Sequence, residues 1–297
     1  MDFTASIAVI GGSGLYKLDL PELGSVYYET PFGFPSAPVK IVQLHGHNVA
    51  FLARHGKGHS VSPSNVPGKA NIAILKALGV KVIIAFSAVG SLQQEIEPRH
   101  FVVPTQLIDR TKHSVSFYDD IVGHCAFADP FTPQITTLLR DACNKVVTTH
   151  YDKTLVVMEG PAFSTRAESR LYRQWGCDII NSIIIIKLVS CLPESKLARE
   201  AEICYACVCM ATDYDSWKDG EHVTVDKVIS NLNHNSANAQ RVLEKLMPGL
   251  LETVDQLDCV RDMQGSSVGG IVTAQEMWTE SARAKLGFLF PALLQKS

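Results

Sequence analysis

Short apolar runs alternate with helical patterns along this chain. Apolar runs bounded by turn residues are typical of buried strands, whereas apolar residues at positions i, i+3 and i+4 are typical of helices that cover a sheet. The predicted strands are residues 7–10, 48–53, 80–86, 101–103, 155–158, 178–181 and 203–210. The predicted helices are residues 70–78, 139–146, 166–175 and a last one capped by Thr224, which Pro248 is expected to end or kink. This alternation predicts α/β layering.

Composition and charge narrow the class of protein. The chain has 297 residues, 46% of them apolar and 19% charged, which suits one large α/β domain or two small ones. No repeat, low-complexity tract or long linker marks a domain boundary. The formal net charge of −3 gives no electrostatic reason to expect nucleic acid or an anionic membrane as a partner. The longest apolar run, residues 179–189, contains polar residues and is too short to span a bilayer.

The cysteine content bears on location and on metal binding. No secretory signal is visible at the first residues, and eight cysteines without one are typical of reduced thiols, so we expect a cytoplasmic protein, with the nucleus also possible. Cys204, Cys207 and Cys209 have the look of a metal cluster. However, they fall in or beside an apolar strand, and no second Cys/His cluster has zinc-like spacing. We therefore interpret them as buried packing thiols and expect no metal.

Two carboxylates, Asp213 and Asp215, follow the strand at residues 203–210. Residues i and i+2 of an extended chain point the same way, so both acids can face one ligand. A carboxylic acid beside a carboxylate can hydrogen-bond two neighbouring nitrogens, such as those on one edge of an aminopurine. A surface acidic pair is the alternative, but the strand before it and Trp217 after it argue against an ordinary exposed loop.

Three other predicted strands end in hydrogen-bond donors. Ser13 lies in a glycine turn after the first strand, Arg54 and His55 follow the second, and residues 87–91 follow the third. Taken singly, none of these is specific. A plain tight turn is the better explanation of the glycine segment, whereas the strand-end position of Arg54 and His55 favours function over a surface basic pair. Ligands of open α/β sheets bind at the carboxyl ends of strands, so the convergence predicts a site for one tetrahedral anion.

Nine short segments, in order, resemble the trimeric purine nucleoside phosphorylase superfamily, and within it most closely the 5′-methylthioadenosine phosphorylases. They are residues 10–15, 30–33, 52–56, 108–111, 116–119, 158–161, 166–169, 197–200 and 210–217. The resemblance spans about residues 7–247, and residues 210–217 are its most specific motif. Relatives that act on inosine and guanosine carry asparagine at the position of Asp213. The acidic pair therefore implies a 6-aminopurine.

The resemblance implies a reaction and an assembly. The reaction is phosphorolysis of 5′-methylthioadenosine to adenine and 5-methylthioribose 1-phosphate, with inorganic phosphate as co-substrate and no metal or organic cofactor. The implied fold is a single α/β domain, residues 1–297, with a central mixed β-sheet flanked by helices. The implied assembly is a homotrimer with active sites at subunit contacts, where residues of about 250–297 pack.

The same resemblance implies roles for individual residues. Asp213 donates a proton to N7 of the base, and Asp215 orients the 6-amino group. The phosphate-binding residues would be Ser13, Arg54, His55, Ser87 and Ala88. The base and ribose would contact Gly90, Phe163, Asn181, Val189 and Thr212, although the sequence alone leaves Phe163 open between base stacking and core packing. The pocket for the 5′ substituent would be lined by Val225, Val228, Ile229, a neighbouring subunit's His124 and, as a weaker candidate, Leu289.

One segment departs from the family pattern. Between Asn181 and Pro193 the chain has seven residues more than expected, and the simplest alignment inserts residues 182–188. Val189 then replaces a methionine and Ser190 supplies the phosphate-binding hydroxyl; alternatively, Ser182 supplies it. Because this insertion enters the expected site, two other functions remain open: a broader adenosine or purine nucleoside phosphorylase, and an inactive homologue that serves as a trimeric binding scaffold.

Overall fold

A mixed β-sheet forms the centre of the protein in a computed structural model that describes residues 3–11, 21–56, 61, 65–112, 115–160, 162–182, 191–221 and 224–294. Its strands are β1 (Ile7–Gly11), β2 (Glu22–Val26), β3 (Val39–Leu44), β4 (His47–Ala53), β5 (Val82–Ser91), β6 (Phe101–Val103), β7 (Gln106–Arg110), β8 (Thr149–Tyr151), β9 (Thr154–Met158), β10 (Ile179–Ser182) and β11 (Cys204–Asp213). The helices are α1 (Gly68–Ala77), α2 (Pro133–Asn144), α3 (Arg166–Gln174), α4 (Glu194–Glu200), α5 (Val225–Thr253), α6 (Asp258–Met263) and α7 (Glu280–Leu289). The predicted α/β fold with a central mixed sheet is confirmed.

The long strand β5 organises the sheet. Its first half pairs in parallel with β1, up to the register Ile10 with Ala85, while β11 pairs in parallel along its whole length. At its far end Gly90 and Ser91 pair with the antiparallel strand β10 instead. On that edge of β5, residues 86–89 lie between the end of β1 and the start of the pairing with β10. They border a crevice beside the carboxyl ends of β1 and β4, and open α/β sheets bind ligands at such positions.

Helices cover both faces of the sheet, as the alternating sequence predicts. The core on one face includes Ile72 of α1, Leu197 of α4 and Leu289 of α7. The core on the other face includes Leu139 of α2 and Leu246 of α5. Because β5 and β11 are buried on both faces, they are nearly continuous apolar runs without the alternation of a half-exposed strand.

Two expectations about element ends need correction. Residues 87–91 form no turn, because β5 continues through Ser91, and β11 likewise continues to Asp213, which pairs with Gly90. Helix α5 does not end at Pro248; it runs to Thr253, and Thr224 caps its start by accepting a hydrogen bond from the Lys227 amide. None of the helices within the described ranges has the length and apolarity to cross a bilayer.

Candidate active site

Asp213 is the last residue of β11 and lies at the crevice, where it is only 5% exposed. Its Oδ2 accepts a 2.7 Å hydrogen bond from the Thr212 hydroxyl, and its Oδ1 accepts a 2.8 Å hydrogen bond from the backbone amide of Asp215. The side-chain amide of Asn231 on α5 holds the Thr212 carbonyl at 2.7 Å. Neighbouring elements therefore fix the orientation of this carboxyl group.

Asp215 is brought beside Asp213 by a turn, which corrects the expected extended geometry. Asp215 has a φ of 51°, in the left-handed region, so the strand alternation that would align residues i and i+2 stops at Asp213. The two acids nevertheless meet at Gly90. A Cβ at Gly90 would lie 3.1 Å from Oδ1 of Asp213 and 3.3 Å from Cβ of Asp215. Only glycine allows both acids to pack this closely against β5.

Burial changes the ionisation of both acids. Burial raises the pKa of Asp213 to about 6, and the nearby Asp215 charge adds a smaller rise that hydrogen bonds from Thr212 and the Asp215 amide oppose. Burial also raises the pKa of Asp215, while the hydroxyls of Ser169 and Ser164 lower it. A carboxyl group with a pKa of about 6 can carry a proton near neutral pH and donate it.

One side-chain oxygen of Asp215, Oδ2, is buried and has no hydrogen-bond partner among the described residues. Buried polar atoms in proteins are generally satisfied, so an orphaned carboxylate oxygen beside a crevice points to a donor on a ligand. An exocyclic amine on a base is a donor of this kind.

The expected base-stacking residue lies in a loop that is bonded to the loop of Asp215. Phe163 is half-buried and precedes Ser164, whose carbonyl accepts a 2.7 Å hydrogen bond from the Ser216 hydroxyl. On the other side, the Trp217 indole donates a 2.8 Å hydrogen bond to the Ser91 carbonyl. These two contacts tether the loop of Phe163 and the loop of Asp215 to one another and to β5.

Asn181 connects β10 to the expected phosphate site. Its side-chain amide donates 2.7 Å to the Ser87 hydroxyl and 2.9 Å to the Ala88 carbonyl, and its Oδ1 is buried with no partner among the described residues. Sequence reasoning assigned Asn181 to base and ribose contacts. The structure shows that its amide holds the Ser87 segment in place, which leaves its carbonyl oxygen as the atom available to a ligand.

The structure gives Arg54 a buried carboxylate partner, and its phosphate contact stays a prediction. Its guanidinium is 2% exposed and directs its bidentate edge at Glu194, with Nη2 2.8 Å from Oε2 and Nε bonded to Oε1. Nη1 donates 3.3 Å to the Phe86 carbonyl, and the Tyr205 hydroxyl donates 3.0 Å to Glu194. Burial alone would lower the pKa of Arg54, but the Glu194 carboxylate raises it, so the charge is retained. At most one N–H group on each Nη nitrogen is left for a phosphate.

His55 follows the end of β4, and Val228 on α5 packs against β5. His55 is buried, and its Nδ1 lies 3.1 Å from the Val61 carbonyl. Val228 on α5 is 3% exposed and packs against Ala88, while the next residue, Ile229, is half-buried. The start of α5 therefore places an apolar surface beside β5, as the 5′ pocket requires.

Two expected pocket residues lie elsewhere in this chain. Leu289 is 1% exposed in the core that α7 shares with α1, where its side chain is used in the chain's own packing. Its place in the pocket lining stays a prediction. His124 is exposed, and its backbone amide donates 3.0 Å to the Gly270 carbonyl. Its contribution to a neighbouring subunit stays a prediction.

Several candidates fall outside the described residues: Ser13, Val189 and Ser190, together with the side chains of Ser182 and Val225. The insertion lies there too, except for the backbone of Ser182 at the end of β10. The choice between Ser182 and Ser190 as the phosphate-binding hydroxyl therefore stays open.

Sequence reasoning missed three residues that shape the site: Glu194, Ser164 and Ser169. Glu194 follows Pro193 after the insertion, and its pairing with a strand-end arginine 140 residues away leaves no local signal. The available signal was the Pro193–Glu194 pair, which matches the end of the family pattern after Asn181. Ser169 lies on the buried face of α3. A capping box formed by Thr165 and Glu168 fixes the residue at which this helix begins.

Comparisons with known proteins show the family of the chain. The family model described as the phosphorylase superfamily matches residues 6–248. The S-methyl-5′-thioadenosine phosphorylase of Emericella nidulans is 46% identical over 97% of this chain and 83% of its own length, and that of Yarrowia lipolytica is 46% identical over 96% and 92%.

Solved structures agree as well. A methylthioadenosine phosphorylase from an antarctic soil metagenomic library superposes with a TM-score of 0.87 at 41% identity, covering 97% of this chain and 99% of that one. The Schistosoma mansoni methylthioadenosine phosphorylase in complex with adenine gives 0.81 at 29% identity, covering 91% and 99%. The chain therefore belongs to the phosphorylase superfamily, and within it to the family of the S-methyl-5′-thioadenosine phosphorylases.

Proposed function

We propose that this protein is a pentosyltransferase that cleaves 5′-methylthioadenosine with inorganic phosphate, releasing adenine and 5-methylthioribose 1-phosphate. The observation that carries the proposal is the buried acid Asp213, with a pKa of about 6, beside the orphaned oxygen of Asp215. Together they offer one proton donor and one acceptor to the N7 and 6-amino edge of adenine. The membership of the chain in its family supports the same substrate.

The chemistry follows from where charge develops. As a phosphate oxygen bonds to C1′, the bond from C1′ to N9 breaks and its electron pair moves into the purine. Protonation of N7 by Asp213 neutralises that charge, so the base leaves as neutral adenine. Positive charge on the ribose is stabilised by the anionic phosphate beneath it.

We propose that phosphate binds at the crevice beside residues 86–89 of β5, near His55, Ser87 and Ala88, with Ser13 and either Ser190 or Ser182 as further hydroxyl donors. Arg54 contributes at most one N–H group from each Nη nitrogen and a charge that Glu194 largely balances. A dianionic ligand in that position is consequently held mainly by hydroxyl and backbone donors, with modest help from net positive charge.

We expect the 5′ pocket to favour a methylthio group over a hydroxyl. Val228 lies against Ala88, and Ile229 follows it on the same helix. An apolar surface at this point accepts S–CH₃ and gives a 5′ hydroxyl no partner. Because a contact of this size contributes about 1–3 kcal/mol, adenosine is expected to be a slower substrate.

A broader adenosine phosphorylase activity is the second candidate. One solved relative is named as an adenosine/methylthioadenosine phosphorylase from Schistosoma mansoni. The inactive-scaffold alternative is disfavoured because the acidic pair, Asn181 and Val228 are all in place around one crevice. We further propose that the protein is a cytoplasmic homotrimer that needs no metal or organic cofactor, which sedimentation and metal-free activity assays would test.

The test is adenine release from purified protein given methylthioadenosine, adenosine or inosine, each with and without phosphate. We expect adenine from methylthioadenosine only when phosphate is present, a slower reaction with adenosine and none with inosine. An Asp215→Ala variant purified in parallel shows whether contaminating host enzymes contribute. Equal turnover of methylthioadenosine and adenosine would favour the broader activity, and no turnover of any nucleoside would favour the scaffold.

A further inference from the structure

Three cysteine thiols meet in the core on one face of β11. Cys207 and Cys209 occupy alternate positions of the strand, so their side chains point the same way, and Cys191 approaches them from the segment that leads into α4. Sγ of Cys207 lies 2.9 Å from Sγ of Cys191 and 4.0 Å from Sγ of Cys209. All three sulfur atoms lie within 4.8 Å of one another, and all three residues are fully buried.

Cys204, on the same strand, does not belong to this cluster. It lies on the opposite face of β11, in the other core, where its thiol donates 3.4 Å to the Cys259 carbonyl. The cluster therefore consists of two thiols from one face of the strand and a third that lies 16 residues before Cys207. Packing alone requires only small apolar side chains at these positions and does not require three sulfur atoms to converge.

We propose that Cys191, Cys207 and Cys209 form a three-thiolate binding site for monovalent copper. Soft thiolate ligands select copper(I) and zinc over hard cations. Structural zinc sites almost always take four protein ligands, whereas this group of His, Cys, Asp and Glu side chains has three members among the described residues. A three-coordinate sulfur site suits copper(I) better.

The spacing needs little adjustment to hold an ion. Metal–sulfur bonds of about 2.3 Å place the sulfur atoms of a planar three-coordinate site about 4 Å apart. The separation of Cys207 and Cys209, 4.0 Å, already matches. The separation of Cys191 and Cys207 has to grow from 2.9 Å by about 1 Å, which rotation of the Cys191 side chain can supply.

Binding of the ion changes the protonation of the cluster. Each thiol that binds the ion releases a proton, so the complex carries net negative charge. The buried ion pair of Arg54 and Glu194 is close to the cluster in the chain, because Glu194 is three residues from Cys191. The cluster and the active site therefore share one segment.

The test is competition for copper(I) with the coloured chelator bicinchoninate, using full-length protein reduced with a non-thiol reductant under nitrogen. We expect the wild-type chain to withdraw one copper(I) per chain from the chelator, with sulfur-to-copper charge-transfer absorption in the ultraviolet. The single variants Cys191→Ala, Cys207→Ala and Cys209→Ala should each weaken binding by at least about tenfold, because two thiolates remain. Circular dichroism selects the variants that fold.

Matched controls separate this site from chance thiol binding. The double variant Cys125→Ser/Cys259→Ser removes the two partly exposed thiols, and Cys177→Ala removes a buried thiol elsewhere; both should bind copper(I) like the wild type. A second experiment allows for slow entry of copper into a buried site. The protein is expressed in medium with added copper, and its metal content is then measured. The proposal is overturned if the wild type holds no more copper than Cys207→Ala in both experiments, or if the loss of binding follows the Cys125→Ser/Cys259→Ser variant.

Discussion

The guanidinium of Arg54 and the carboxylate of Glu194 form a buried bidentate ion pair that joins the end of β4 to the start of α4. Both side chains are almost completely inaccessible, and Tyr205 donates a further hydrogen bond to the carboxylate. Each charge of such a pair offsets the desolvation cost of the other, since either charge alone would be costly to bury. Arg54 therefore contributes to the architecture of the phosphate crevice at least as much as to its charge.

Replacing Glu194 by glutamine should lower the free energy of unfolding by about 3–5 kcal/mol, because it leaves the Arg54 charge buried without a counter-ion. Urea denaturation monitored by fluorescence measures this. The control is Glu22→Gln, which breaks an ion pair with Lys40 whose side chains are 43% and 47% exposed. That exposed pair should contribute less than about 1 kcal/mol, and similar losses in the two variants would contradict the account.

Replacing Gly90 by alanine should impair base binding. The added Cβ would lie 3.1 Å from Oδ1 of Asp213 and 3.1 Å from Cγ2 of Ile180, so the carboxyl group must shift. We expect a rise in KM for methylthioadenosine of about tenfold or more, since small displacements of positioned groups are costly in catalysis. Steady-state kinetics tests this.

Gly249→Ala is the matched control for that substitution. A Cβ at Gly249 meets nothing within 4 Å, and the residue lies inside α5. The variant should keep wild-type kinetics and gain up to about 1 kcal/mol of stability. If Gly90→Ala also keeps wild-type kinetics, the acidic pair is not as closely confined as described.

The sequence predicts the layering, most of the central strands and the acidic pair, because these features leave local signals. Strands such as residues 48–53 and 203–210 are apolar runs, and Asp213 and Asp215 are close together in the chain. The short edge strands β2 and β8 went unpredicted because their residues are half-exposed and lack an apolar pattern.

What the sequence could not provide is pairing between distant segments. Glu194 and Arg54 are 140 residues apart, and Cys191 reaches Cys207 from outside the strand. The extended geometry expected for the acidic pair failed because Asp215 adopts a positive φ, which local propensity allows for aspartate but does not require. Such features depend on tertiary structure.

Replacing Val228 by threonine should shift the preference between methylthioadenosine and adenosine. Threonine has the shape of valine but places a hydroxyl in the apolar surface against Ala88. We expect the ratio of kcat/KM for methylthioadenosine to that for adenosine to fall by about tenfold. Val242→Thr introduces the same hydroxyl at a buried position further along α5. An equal change of the ratio in both variants would show that the effect is not local to the pocket.

The raised pKa of Asp213 makes stability depend on pH. Burial raises it from the usual 3.8 to about 6, so the folded state holds this proton more tightly than the unfolded chain does. The contribution of this carboxyl group to the free energy of unfolding is fully present below about pH 4 and is lost as pH rises through about 6. At pH 4 the carboxyl group of folded wild-type protein is protonated and uncharged, so Asp213→Asn should be no more stable than the wild type there. Relative to the wild type, its stability should rise by up to about 3 kcal/mol between pH 4 and pH 8.

Denaturation curves at a series of pH values measure this difference. The control is Asp219→Asn, where the aspartate side chain is 84% exposed. Its stability relative to the wild type should hardly change over the same range. A flat profile for Asp213→Asn would mean that the carboxyl group is hydrated in the folded protein.

The central claim is that protonated Asp213 binds N7 of a 6-aminopurine while Asp215 accepts from the amino group. Its most direct test is the ratio of kcat/KM for methylthioadenosine to that for its 6-oxo analogue, methylthioinosine, in the wild type and in Asp213→Asn. We predict that the substitution lowers this ratio by about a hundredfold or more, because asparagine cannot give up a proton to N7 of adenine. An unchanged ratio in a folded Asp213→Asn protein would contradict the account.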